Sequence, residues 1–324
     1  MSITLLATGG TIACVPTANG LAPGLTARNL ISYLPASQQS LVTGWEDVFS
    51  MDSSNIQPEE WCRLARAVDQ ALQVSDGVVI THGTDTMAYT AAALTYMLRN
   101  LSKPVILTGS QLPMSAPLSD APGNLSLAVE ACRQKVPGVY VCFNRKIISG
   151  VRAVKTRTTS FDAFDSVNAS PCGLADSEGV HFLRSQPTTG DYRLMDTLDP
   201  RVFLLKLMPG TLPDIFDFVV KADYRGIVIE AFGLGGLHYL RRNLVDKLRL
   251  LSESGVYTVV TTQCMYEKTN FSIYEVGHGV LSDRVFSGRD MTSEAAVAKL
   301  MWILGDPGNR AALLNENVCG EMSE

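Results

Sequence analysis

At 324 residues, with 46% hydrophobic residues and a net charge of −5, the chain is long enough to bury a substantial core without staples and to divide into two domains. Its 27 basic residues form no run or stripe, which excludes an electrostatic footprint for nucleic acid. The seven cysteines are widely spaced and contain no C-x-x-C pair, excluding a disulfide framework and a zinc site, and no apolar run has the length of a membrane span or the pattern of a leader, so the expected address is the cytoplasm.

In chain order, Ile3 to Ala7 is an apolar run that breaks at Thr8-Gly9-Gly10-Thr11 and reads as a buried strand delivering its last residues to a sheet edge. Cys14 to Leu25 is rich in Pro, Gly and Asn and reads as a mobile surface loop, a lid beside Thr11. Thr26 to Tyr33 reads as a short helix. Pro58-Glu59-Glu60-Trp61 opens a helix that runs to about Gln73, with proline and acidic residues in the first turn as the helix dipole prefers. The strand Asp76 to Ile80 ends in Thr81-His82-Gly83-Thr84-Asp85-Thr86 and is followed by a helical pattern through Leu98. The strand Pro104 to Leu107 ends in Thr108-Gly109-Ser110-Gln111.

Gly123 to Lys135 then reads as a helix, Gly138 to Phe143 as a strand, and Ser149 to Asp165 as a polar strand or hairpin carrying Lys155. Apolar periodicity disappears over residues 186–201, which reads as the linker between an N-terminal domain, 1–185, and a smaller C-terminal domain, 202–324. The second half is expected to hold strands at Val202 to Leu207, Gly226 to Ala231 and Val256 to Thr262. Helices are expected at Leu212 to Lys221, Tyr239 to Ser252 and Thr292 to Leu304, with a glycine turn at Gly233-Leu234-Gly235-Gly236. Strands alternating with helices predict an α/β chain with a parallel, doubly wound sheet, in which ligands bind at the carboxyl ends of the strands. Three such ends carry Thr-x-Gly or Thr-Gly.

Each polar end has two readings. Thr11 is a cap on a tight turn or a nucleophile, and Thr84 and Asp85 cap the following helix or act on a ligand. Lys155 is a solvated strand lysine, or a lysine that works beside Thr84 and Asp85. Ser53 and Ser54 are loop hydroxyls or holders of a substrate carboxylate. His82 reads as a packing histidine, since no G-x-S-x-G elbow accompanies it. The four histidines, His82, His181, His238 and His278, lack ligand spacing, and no metal is expected. Neither G-x-G-x-x-G nor a P-loop follows the first strand, so nucleotide binding is discounted.

Taken together, Thr8-Gly9-Gly10-Thr11-Ile12 and, roughly seventy residues later, His82-Gly83-Thr84-Asp85-Thr86 resemble the bacterial-type, cytoplasmic (type I-like) L-asparaginase family. The resemblance continues through Met51-Asp52-Ser53-Ser54, Leu107 to Gln111, Lys155 to Thr159 and Gly288 to Thr292, and so covers nearly the whole chain. It implies a two-domain α/β amidohydrolase that converts L-asparagine and water to L-aspartate and ammonia without a cofactor. Carried over residue by residue, Thr11 attacks the side-chain amide to form an acyl-enzyme, and Thr84, Asp85 and Lys155 handle protons. Asp85 also binds the substrate α-ammonium, Ser53 its α-carboxylate, and Ser54 lines the pocket. The resemblance further implies a small amino-acid substrate and a homodimer or homotetramer.

The chain departs from the family pattern in two places. The lid tyrosine found after the nucleophile in many members is missing from Ile12 to Ser32, with Leu21 near its place, and a family asparagine in the glycine turn is replaced by Gly236. Tyr274 is a candidate to supply a hydroxyl from a neighbouring protomer. Three other functions are to be weighed: a glutaminase-asparaginase of mixed specificity, a tRNA-linked amidotransferase component, and a non-catalytic asparagine or aspartate sensor. The second is disfavoured because such components carry an extra N-terminal domain, and the third because Thr11, Thr84, Asp85 and Lys155 are all present.

Overall fold

The computed structural model describes residues 1–18, 20–272 and 281–323. The chain divides into two compact units, Met1–Asp196 and Thr197–Glu324. The first contains β1 (Ile3–Gly9), β2 (Cys14–Thr17), β3 (Gly20–Pro23), α1 (Ala27–Ile31), α2 (Ala36–Gln39), β4 (Val42–Met51), α3 (Pro58–Val74), β5 (Gly77–Thr81), α4 (Met87–Met97), β6 (Leu98–Arg99) and β7 (Pro104–Thr108). It continues with α5 (Ala121–Arg133), β8 (Gly138–Phe143), β9 (Lys146–Ser149), β10 (Ala153–Lys155), β11 (Phe164–Ser166), β12 (Gly173–Asp176), β13 (Gly179–Phe182) and β14 (Arg193–Leu194).

Its main sheet has the order β13-β12-β9-β8-β7-β5-β1-β4. The five strands from β8 to β4 are parallel, and β9, β12 and β13 add an antiparallel flank. All residues of β1, β5 and β7 are buried, as expected of central parallel strands covered on both faces. Ile3, Leu5 and Ala7 of β1 share a core with Leu30 of α1 and Leu125, Ala128 and Cys132 of α5. Alternation sends Leu6 and Thr8 to the opposite face, where α3 and α4 contact the strands. Helix α3 starts where the sequence predicts, with Pro58 in its first turn and a reciprocal cap between Gln57 and Glu60.

The segment expected to be an irregular loop after Thr11 is instead a hairpin. Strands β2 and β3 pair from Cys14↔Pro23 to Thr17↔Gly20, and the Thr17 hydroxyl donates to Gly20 O at 2.7 Å. Gly20 opens β3 at φ +118°, a conformation suited to glycine, and the prolines at 16 and 23 are tolerated in a two-stranded ribbon that has free edges. Strand β4 and the antiparallel flank were not expected either. β4 mixes Gly44, Glu46 and Asp47 into an edge position, where Asp47 Oδ1 accepts from Ala27 N at 2.7 Å and so ends up capping α1. Residues 186–196 lie within the first unit: Gln186 exchanges two side-chain hydrogen bonds with the Val139 backbone, 2.9 and 2.8 Å, and β14 pairs with β6.

The second unit holds β15 (Val202–Lys206), α6 (Asp214–Lys221), β16 (Gly226–Ala231), α7 (Val245–Glu253), β17 (Tyr257–Thr262), β18 (Val285–Ser287), α8 (Ser293–Gly305) and α9 (Pro307–Arg310). β15 to β18 form a parallel sheet in sequence order. One face packs on Phe216, Val219, Leu248 and Leu251, while on the other Gly226 lets Leu300 and Leu304 of α8 reach the strand. The helix expected from Tyr239 begins only at Val245. Arg242 adopts φ +52°, and Asn243 Oδ1 accepts from Val245 N and Asp246 N, so the amide side chain caps the helix and ends the preceding turn. Tyr274 and His278 lie outside the described residues. Among the described residues no helix is long and apolar enough to cross a membrane.

Glu321 and His82, both buried, make the fold sensitive to acid. Lys299 and Glu321 form a fully buried pair at 2.7 Å, and Glu321 also accepts from Val318 N and Cys319 N, fastening the C-terminal segment to α8. Burial pushes the Glu321 carboxyl up, but the Lys299 ammonium and the two N–H donors outweigh it and hold it below the usual carboxylate range. Glu321→Ala should cost about 3–5 kcal/mol in urea unfolding because it strands the lysine, whereas Lys299→Met/Glu321→Leu should recover most of that loss.

His82 is completely buried directly after β5, and burial lowers it from 6.5 to about 4, only partly opposed by its hydrogen bond to Gly83 O. The unfolded chain therefore takes up this proton more readily than the folded one. The contribution is fully present above pH 6.5 and is lost as pH falls towards about 4. Between pH 7.5 and 5 the wild type should lose about 2 kcal/mol from this group alone, a loss absent from His82→Gln when both are unfolded in urea.

Candidate active site

Three parallel strands, β1, β5 and β7, deliver their carboxyl ends side by side in the first unit. Gly9 and Gly10 have φ +93° and +76°, a backbone open to glycine at little cost, and a Cβ on Gly10 would fall 2.3 Å from Gly83 N. A Cβ on Gly83 would in turn fall 2.6 Å from Ser53 Oγ. The segments carrying Thr11, Thr84 and Ser53 can therefore meet only because glycine stands at both contacts.

They open on a cavity of about 360 Å³ lined by Thr11, Cys14, Leu21, Pro23, Asp52, Ser53, Thr84, Asp85, Gln111, Lys155 and Thr158, together with Gly10 and Gly83. Thr11 begins a short 3-10 turn, Thr11–Ala13, and its hydroxyl has no hydrogen-bond partner among the described residues. Lys155, at the end of β10, donates from Nζ to Thr84 Oγ1 at 2.9 Å and to Asp85 Oδ1 at 2.6 Å. Its side chain is 18% exposed and that of Asp85 60%, so the lysine is held inside the cavity wall while the carboxylate still faces solvent. Lys155 is thus not the solvated strand lysine of the plainer reading.

The Thr11 and Thr84 main-chain N–H groups are not taken up by any acceptor among the described residues. Free N–H donors and a free hydroxyl among the residues of one cavity are the kinds of group needed to attack a carbonyl and stabilise the oxyanion that forms. Cys14, the sulfur in the lining, donates from Sγ to Gly10 O at 3.3 Å. Burial, and then the Asp52 carboxylate, push its thiol up, so it stays protonated near neutrality and is a poor nucleophile.

Of the six residues singled out in the sequence, Thr11, Thr84, Asp85, Lys155 and Ser53 line one cavity. Ser54 is not among the lining residues. Its hydroxyl and backbone N–H both donate to Asp52 Oδ1, 2.9 and 2.8 Å, in the plain loop role. His82 is packed beneath the cavity, with Nδ1 2.7 Å from Gly83 O. Sequence reasoning missed Asp52, Gln111 and Thr158 as lining residues. Gln111 carried the signal that marked Thr11 and Thr84, a polar side chain just past a Thr-Gly strand end. The hairpin contributes Leu21 and Pro23, so an apolar wall stands where a lid hydroxyl was sought.

Residues 2–188 match the family model described as Asparaginase, N-terminal, and residues 201–314 match the Glutaminase/Asparaginase C-terminal domain. An L-asparaginase of Thermococcus kodakarensis is 39% identical, the match covering 100% of this chain and 99% of that protein. A component of the glutamyl-tRNA(Gln) amidotransferase of Archaeoglobus fulgidus is 36% identical over 99% of this chain and 79% of its own length. Among solved structures, the thermostable L-asparaginase from T. kodakarensis superposes with a TM-score of 0.91 at 38% identity, each chain fully covered. L-asparaginase I from Vibrio cholerae gives 0.85 at 28% identity, covering 100% of this chain and 99% of that one. With both halves matched, the chain belongs to the asparaginase family, in its two-domain α/β form.

Proposed function

We propose that the chain is an L-asparaginase that hydrolyses the side-chain amide of L-asparagine to L-aspartate and ammonia. The observation that carries this is the Lys155 ammonium shared between Thr84 and Asp85 on the wall of a cavity into which Thr11 presents an unengaged hydroxyl. In the first step Thr11 Oγ adds to the amide carbon and loses its proton, and the resulting oxyanion is met by the Thr11 and Thr84 N–H groups. Removing one such donor ordinarily costs about 3 kcal/mol of transition-state stabilisation. The carbon–nitrogen bond then breaks, the nitrogen gains a proton and leaves as ammonia, and an aspartyl ester remains on Thr11. In the second step water adds to the ester carbon and gives up a proton, the bond from that carbon to Thr11 Oγ breaks, Oγ takes back a proton, and L-aspartate leaves.

Thr84, Lys155 and Asp85 form the hydrogen-bonded group through which these protons pass. In this reading the exposed carboxylate of Asp85 receives the substrate α-ammonium, and buried Ser53 its α-carboxylate. Ser54 supports this pocket through Asp52. No step calls for a cofactor or metal.

The relatives also favour a second reading, since they include the glutamyl-tRNA(Gln) amidotransferase component of A. fulgidus. A chain with that role would release ammonia from an amide donor in a manner dependent on charged tRNA. We favour the free amino acid because no basic stripe accompanies the net charge of −5. A cytoplasmic address and a homodimeric or homotetrameric assembly complete the proposal; one structural neighbour is named a probable cytoplasmic L-asparaginase, from Campylobacter jejuni.

Purified protein should release ammonia from L-asparagine without tRNA, and Thr11→Ala should remain folded with kcat reduced at least about a thousandfold. L-Glutamine carries one more methylene, a difference worth about 1–3 kcal/mol, so its kcat/KM should be about 10 to 200 times lower. Equal efficiencies would make the chain a glutaminase-asparaginase, binding of asparagine without ammonia release would make it a sensor, and full activity in Thr11→Ala would remove Thr11 from the chemistry.

A further inference from the structure

Gln111 lies at the end of the third parallel strand, two residues past Gly109, and both its backbone N–H and its side-chain amide are engaged. The backbone N–H donates to both Asp120 oxygens, at 3.1 and 3.0 Å, and Leu112 N also donates to Asp120 Oδ1 at 3.1 Å. Asp120 is held in turn by buried Asn124, whose Nδ2 donates to Asp120 Oδ2 at 3.1 Å and to Gly109 O at 3.0 Å. The loop from 109 to 112 is therefore fixed to the start of α5, and the Gln111 side chain leaves from a rigid base.

Side-chain Nε2 donates to Thr158 O at 2.8 Å and to Ser160 O at 3.1 Å. These two bonds decide which way the amide faces, since a flipped amide would set its oxygen against two carbonyl oxygens. Oε1 is left facing the cavity, 3.5 Å from Thr84 Oγ1. That hydroxyl already accepts from Lys155 Nζ, so its own proton has to leave in another direction, and Gln111 Oε1 lies on that side.

Thr158 and Ser160 belong to the connection between β10, which ends at Lys155, and β11. The base of this hairpin is clamped by charge: Lys146 Nζ pairs with Asp162 at 2.7 Å and Asp165 at 2.9 Å, and Asp165 also takes Arg157 and the Thr156 hydroxyl. Its tip is tied across to β7 by Gln111.

Building on the proposed amidase reading of this cavity, we propose that Gln111 is a positioning residue: it pins the tip of the hairpin that carries Lys155 and orients the Thr84 hydroxyl, so that the lysine stays within reach of Thr84 and Asp85. It acts on the reaction through Thr84 and Lys155 and not on the substrate. The two ends of its amide do different work, Nε2 holding the hairpin and Oε1 facing the hydroxyl.

Gln111→Leu keeps the volume and removes both functions, while Gln111→Glu keeps an acceptor towards Thr84 but turns oxygen against the Thr158 and Ser160 carbonyls. With asparagine as substrate, both variants should lower kcat about 10 to 100-fold with KM changed less than about threefold, because a displacement of about 1 Å in a positioned group costs on this scale. A second readout is independent of turnover. Under limiting acylation by an amine-reactive reagent, followed by peptide mapping, Lys155 labelling should rise several-fold relative to Lys103 in both variants. If the wild type released no ammonia from asparagine, the functional reading would fall while the labelling still decided the role of Gln111. Lys155 labelling unchanged in Gln111→Leu would overturn the positioning role, with or without a loss of kcat, and so would unchanged kcat.

Discussion

The candidate site depends on one close contact, that of Gly10 with Gly83. A Cβ at position 10 would sit 2.3 Å from backbone, a distance no side chain tolerates, so the ends of β1 and β5 meet only as bare main chain. That contact places Thr11 and Thr84 on one cavity and leaves their N–H groups without acceptors among the described residues. The positive φ of Gly9 and Gly10 turns the chain away from the sheet so that the hairpin β2–β3 can close over one side. The strain-free route through this turn is open to glycine at both positions, which is the physical reason for the Thr-Gly-Gly-Thr run.

Electrostatics complete what the contact begins. Lys155 is carried on a separate two-stranded ribbon, so its position depends on how that ribbon is held. An ion-pair cluster at the base and a glutamine amide at the tip do this with different physics. The cluster is partly exposed and screened by salt, whereas the amide bonds are short-range and directional. Around the same cavity, burial keeps His82 neutral and Cys14 protonated. The charged groups left in the wall are the lysine and the carboxylates of Asp85 and Asp52.

Much of this was legible from residues whose meaning is local. Runs such as Val78-Val79-Ile80 and Val105-Ile106-Leu107 announce central strands by composition, and Pro58-Glu59-Glu60 announces a helix start by its caps. Thr11, Thr84 and Asp85 were legible because they sit at the ends of such strands, where a parallel sheet gathers its polar groups. The hairpin at Cys14 to Pro23 was obscured by its own prolines and glycines, since the same residues mark loops, and only the pairing of Thr17 with Gly20 separates the two. β4 was obscured because an edge strand loses the apolar run that identifies its neighbours. Gln111 was overlooked because its function depends on Thr158 and Ser160, roughly fifty residues away, and no local pattern encodes that meeting.

In the proposed reaction the unengaged hydroxyl of Thr11, rather than that of Thr84 or the thiol of Cys14, forms the covalent bond to substrate. Rapid acid quenching of the wild-type protein during turnover of L-asparagine, followed by peptide mapping, tests it most directly. A Thr11 nucleophile leaves an aspartyl ester on the peptide that contains Thr11, on its hydroxyl. An acyl group on Thr84 or on Cys14 would contradict it.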